Sequence, residues 1–68
     1  MNILNRVTDE NVLVLSTTGR IDSGNAMEFE SGLMDLLGTH PGLDVVFDAS
    51  DITYMSSAGL RGFLKIQQ

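Results

Sequence analysis

A chain of 68 residues, 43% of them apolar, holds one domain at most and is too apolar for a disordered tail. It has no cysteine, which removes disulfides and thiolate metal sites and suits a reducing compartment. Nine acids against four bases (Arg6, Arg20, Arg61 and Lys65) give a net charge of −5 with no Lys/Arg cluster, which argues against direct nucleic-acid binding. No basic segment leads into an apolar stretch, and no apolar run approaches the ~18 residues of a membrane span, so a cytoplasmic protein is expected.

Ile3, Leu4 and Val7 give a weak strand signal, followed by a polar turn cluster, Asp9-Glu10-Asn11. Val12-Leu13-Val14-Leu15 reads as a second strand, because aliphatic and β-branched residues run without a polar break. Two strands joined by a short polar turn predict an N-terminal hairpin. Thr17 to Gly24 breaks the pattern, and Asp22 or Ser23 is the expected N-cap of a helix. Ala26, Phe29, Leu33, Leu36 and Leu37 recur at helical spacing, with Glu28, Glu30 and Asp35 between them. Gly38 is the expected stop, and Pro41-Gly42 completes the loop.

Leu43, Val45, Phe47 and Ala49 alternate with Asp44, Val46, Asp48 and Ser50, which predicts a strand with one strongly apolar and one mixed face. Strand, helix, strand in this order implies a right-handed crossover to a parallel neighbour. Asp51 to Ser56 reads as a loop. From Ser57 the pattern turns helical, with Leu60, Phe63 and Leu64 able to face the sheet. Gly59 and Gly62 lower helix propensity and, three apart, permit close approach to the sheet or to a partner. The expected fold class is α/β: a mixed β-sheet with an N-terminal hairpin and helices mainly on one face, as a single domain over residues 1–68.

The informative segment runs from Asp48 to Leu64: a strand end, a short loop, Ser56-Ser57, then a helix start. A helix N-terminus carries unsatisfied N–H groups and a partial positive charge. A serine there can cap the helix, or can carry a phosphate where an anion is favoured. The two roles are compatible.

Met55-Ser56-Ser57-Ala58-Gly59-Leu60, together with the corner Gly19-Arg20-Ile21-Asp22, resembles the STAS family, and in particular its anti-sigma-factor antagonists. The resemblance runs over nearly the whole chain. It implies a non-enzymatic bacterial switch protein in sigma-factor control. Its partner would be an anti-sigma serine kinase that supplies its own ATP and magnesium, so no cofactor is expected. By position, Ser57 is the implied phosphorylation site, with Ser56 the second choice. Asp22 matches the corner acid near the same surface, and Ser23, Tyr54, Met55, Ser56, Gly59 and Arg61 are further candidates for partner contact. Ser56 stands where many members have Asp, and Ala58 where they have Ser or Thr. The family fold continues with another strand and a last helix that this sequence lacks, so an incomplete STAS domain is expected, with homodimer formation or strand swapping as the remedy for an open edge. The alternative within the family is an accessory subunit of a lipid or anion transporter, or a stress-signalling scaffold component.

Other constellations are weaker. Ser57 as a nucleophile needs a base, and the only histidine, His40, lies in a Thr-His-Pro-Gly loop, where a solvated side chain is expected. Asp44, Asp48 and Asp51 match no calcium-loop spacing, so no metal is expected. Gly19 and Gly24 form no phosphate-binding signature. Met27, Met34 and Phe29 are expected in the core. Tyr54 and Met55 are either exposed apolar contacts for a partner or packed against the domain.

Overall fold

The computed structural model describes residues 2–66. Its elements are β1 (Leu4–Val7), β2 (Val12–Ser16), β3 (Gly19–Ile21), α1 (Ala26–Thr39), β4 (Asp44–Asp48), β5 (Ile52–Met55) and α2 (Ser57–Ile66).

The predicted hairpin forms: β1 pairs antiparallel with β2, Leu4 opposite Ser16 and Val7 opposite Leu13. Its turn is held by Thr8, whose hydroxyl oxygen accepts the N–H groups of Glu10 (3.3 Å) and Val12 (3.2 Å). Asn11 takes φ 62°, a left-handed conformation that Asn tolerates better than most residues. After α1 the chain returns as β4, parallel to β2, with Leu13 beside Val45 and Leu15 beside Phe47. The order β1-β2-β4 therefore makes a mixed three-stranded sheet with β2 at its centre.

A second, two-stranded sheet pairs β3 with β5 in parallel. Both strands lie in segments that the sequence reading treats as irregular. Asp51 to Ser56 is not all loop, because Ile52-Thr53-Tyr54-Met55 is extended; three of these residues are β-branched or aromatic. A register shift between Gly19 and Arg20 interrupts the ladder, and Gly19 takes φ 95°, which a side chain would disfavour.

The start of α1 also differs from expectation. Neither Asp22 nor Ser23 is the N-cap. Asn25 holds that position without capping through its side chain. Its amide instead bridges backward: Oδ1 accepts the Asp22 N–H at 2.9 Å and Nδ2 donates to the Arg20 carbonyl at 2.8 Å. At the other end the helix runs one residue past Gly38, to Thr39. His40 is half-buried rather than solvated. Its backbone N–H donates to the Leu37 carbonyl, and its Nδ1 lies 2.9 Å from the Leu36 carbonyl oxygen.

The core consists of Leu13, Leu15, Ile21, Ala26, Phe29 and Leu33. Phe47 joins the two helices to it, with edge-on ring contacts to Phe29 (5.8 Å) and Phe63 (5.2 Å). The helices thus cover the sheet face that carries Leu13, Leu15 and Phe47. On the opposite face, Leu4 and Val46 are exposed. Thr17 is buried, and its hydroxyl donates to the Asn2 carbonyl at 2.7 Å. Met27 and Met34, expected in the core, are 83% and 56% exposed. At 100° per residue Met27 points nearly opposite to Phe29, so the face that buries Phe29 turns Met27 outward. Leu60 and Leu64 are likewise about half exposed, because α2 turns Gly59, Gly62 and Phe63 toward the domain instead. β4 forms an edge of its sheet, and its Val45 is also exposed.

Candidate functional site

The two-stranded sheet is what assembles the site. Parallel pairing sets Ile21 beside Met55, so the residues that follow, Asp22 and Ser56, leave the same end of the sheet. The Ser56 N–H continues the ladder by donating to the Ile21 carbonyl at 2.7 Å. The Gly-Arg-Ile-Asp corner and the serine pair, more than thirty residues apart in sequence, therefore meet.

The two serines divide the available roles. The Ser56 hydroxyl oxygen accepts the Gly59 N–H at 3.2 Å, and the Ser56 carbonyl accepts the Leu60 N–H at 2.9 Å. That makes Ser56 the N-cap of α2. Capping, which the sequence reading allows to Ser57, thus falls to its neighbour. Ser57 is the first helical residue and is exposed. Among the described residues its hydroxyl has no hydrogen-bond partner.

Gly59 is buried and packs tightly. A Cβ there would lie 2.5 Å from Ile21 Cγ2 and 3.2 Å from Met55 Cγ. It sets how closely α2 approaches β3 and offers a partner no side chain. Met55 is half-buried against the core rather than displayed. Tyr54 is exposed, with the Arg20 guanidinium 4.5 Å from its ring centroid, a cation–π contact on one face.

Asp22 is half-buried, and one carboxylate oxygen accepts the Gly24 N–H at 2.9 Å. Its carbonyl accepts the Ala26 N–H, also at 2.9 Å. The acid thus shapes the turn into α1 without capping the helix by its side chain. Ser23 is exposed in that turn. Ser23, Ala26 and Glu30 on one side, and Ala58 and Arg61 on the other, line an open groove of about 330 Å³ between the starts of the two helices. The Arg61 side chain is exposed there.

His40 sits at the far end of α1, about 20 Å of helix from the end beside the serines. Among the described residues no group of three or more His, Cys, Asp or Glu side chains could hold a metal ion. Asp48 is fully exposed, and the Ser50 hydroxyl, with the Ser50 N–H at 2.9 Å from Oδ1, holds its carboxyl below the usual carboxylate value. Among the described residues no helix is long and apolar enough to cross a membrane.

Sequence reasoning missed Asn25 and the capping role of Ser56, though both signals were present. Asn favours turns because its short amide bonds to nearby backbone, as Asn25 does, and Ser three residues before a helical N–H is the usual capping geometry. The Arg20–Tyr54 contact had no local signal, because it depends on the β3–β5 register.

No curated protein matches the chain. The family model described as STAS domain matches residues 4–68. With the corner and the serine pair joined by one short parallel sheet, and the match spanning all but three residues, the chain belongs to the STAS domain family.

Proposed function

We propose that this chain is a phosphorylation-switched interaction module of the anti-sigma-factor-antagonist type, with Ser57 as the acceptor and a serine kinase as the partner. The observation that carries the reading is the division of roles at the start of α2. Ser56 supplies the cap, so the Ser57 hydroxyl is exposed and is not needed to hold the helix. A kinase can reach it without unfolding the domain.

In the transfer, Ser57 Oγ forms a bond to the γ-phosphorus of the partner's ATP. The bond from that phosphorus to the bridging oxygen breaks, ADP leaves, and the hydroxyl proton passes to a base on the kinase. The product carries about −1.5 to −2 charges at a previously neutral position. Asp22, Ser23 and Arg61 lie at the starts of the two helices, and in this reading they and Tyr54 are the residues a partner meets. The domain itself performs no catalysis in this reading and binds no cofactor.

The test is intact mass and peptide mapping after incubation with a candidate serine kinase and ATP. Incorporation of a single phosphate at Ser57, lost in Ser57→Ala, is expected. A folded chain that takes up no phosphate at Ser57 would refute the reading and favour an accessory role beside a transporter or in a signalling scaffold.

A further inference from the structure

We propose that Arg61 is the internal counter-ion of the Ser57 phosphate, so that modification both adds negative charge and withdraws a cation from the partner surface. The inference rests on Ser57 being the modified residue. Ser57 and Arg61 stand four residues apart on α2, a spacing that puts side chains on one helical face with Cβ atoms about 5–6 Å apart. Both are exposed, and among the described residues neither has a side-chain hydrogen bond or ion pair. The guanidinium is therefore available in the unmodified chain, at the groove between the two helices.

A phosphate on Ser57 changes that balance. Its oxygens match the planar fork of an arginine bidentately, a geometry that lysine cannot supply. Glu30, which lines the groove from α1, has an interaction of its own. A phosphate carries more charge than a carboxylate and sits on Arg61's own helix, so the guanidinium pairs with it. The unmodified surface offers a partner Arg61 as a free cation; the modified surface offers a paired arginine and a residual negative charge.

The chain is short enough for total chemical synthesis with phosphoserine at position 57, in native, Arg61→Lys and Arg61→Gln forms. Phosphorus NMR then follows the second ionisation of the phosphate, which is near pH 6 when unperturbed. The native chain is expected to titrate roughly 0.15–0.4 pH lower than R61Q, with R61K between them, from the size of helical i,i+4 ion pairs. The gap should close in roughly 1 M salt, where the screening length falls to about 3 Å. Equal midpoints in native and R61Q chains would overturn the proposal. The native chain gives a second readout that needs no substitution: the Arg61 Nε–H resonance should move on phosphorylation, and an unmoved resonance also overturns it. Because the phosphate is installed chemically, a kinase that ignores Ser57 defeats the regulatory reading without touching this titration, and equal midpoints defeat the pairing without touching the kinase result.

Discussion

Replacing Gly59 by alanine should destabilise the domain, while the same change at Gly62 should stabilise it. Both glycines lie inside α2, and neither has a positive φ, so alanine suits the backbone at both sites. On propensity alone each substitution gains up to about 1 kcal/mol. The surroundings decide the sign. At Gly59 the new methyl group would lie 2.5 Å from Cγ2 of the fully buried Ile21, well inside the ~3.5–4 Å optimum for two carbons. Ile21 belongs to β3 and cannot swing away, so α2 must lift. Overpacking costs typically about 1–3 kcal/mol, and a 2.5 Å contact with a fully buried side chain belongs at the upper end, which leaves G59A destabilised by roughly 1–2 kcal/mol after the propensity gain. At Gly62 the nearest atom is Glu30 Cβ at 3.4 Å, close to ordinary contact. There the propensity gain survives, at roughly 0.5–1 kcal/mol. For a domain of this size about 1 kcal/mol moves Tm by roughly 4–8 °C. Thermal melts by circular dichroism should therefore separate the two variants in opposite directions. A Gly59→Ala chain that melts at or above the native Tm would refute the close approach of α2 to β3.

Three further outcomes follow from particular contacts. Ser56→Ala removes the α2 cap and should lower stability by about 1 kcal/mol in chemical denaturation, while leaving Ser57 open to phosphorylation; an unchanged midpoint would remove the capping role. Asn25→Ala leaves the part-buried Asp22 N–H without its acceptor and should cost roughly 1 kcal/mol, with the loss of amide protection at Asp22 as its signature in hydrogen exchange. Ser50→Ala should raise the Asp48 pKa toward the ordinary 3.8, since the Ser50 hydroxyl is the main cause of its depression. A depressed carboxyl stabilises the fold above its unfolded value and loses that contribution as pH falls through the folded one, so native and S50A chains should differ only above the folded Asp48 value and converge in stronger acid. Carbon-detected NMR of the Asp48 carboxyl checks the shift, and an identical titration would refute the cause.

The elements with strong periodicity were legible. Leu13, Leu15, Phe29 and Leu33 fall in the core because long alternating or helical runs admit one buried face. The short elements were not. β3 has three residues and β5 four, below the length at which period two can be told from chance, and each is extended because the other pairs with it. Met27 and Met34 were misplaced because their hydrophobicity was weighed without their angle relative to Phe29. Leu60 and Leu64 were misplaced for a related reason. The two glycines of α2 look like helix breakers in the sequence, but they are the face that lets α2 sit down on β3 and α1. At the site, the serine pair was legible and the division between its members was not. Which hydroxyl caps depends on where the first turn begins, and that is set by the Ser56 N–H bonding to Ile21 across the small sheet.

That last bond also bears on how a switch at Ser57 would be read. Ser56 is fixed at three atoms: its N–H to β3, its carbonyl to Leu60 and its hydroxyl to Gly59. The residue after it therefore leaves a rigid point, with its position set by the sheet on one side and by helix geometry on the other. A phosphate added there meets no packed neighbour that must move, and the partial positive charge of the helix end tolerates it. The modified and unmodified domains should then share one backbone. A partner that tells them apart must do so by charge at the Ser57–Arg61 face, so its preference should weaken as salt rises. Amide chemical shifts of the phosphorylated chain should accordingly change around residues 56–62 and leave the β1–β2 hairpin in place. Widespread shifts through that hairpin would mean that the switch works by refolding, and the charge-based account would fail.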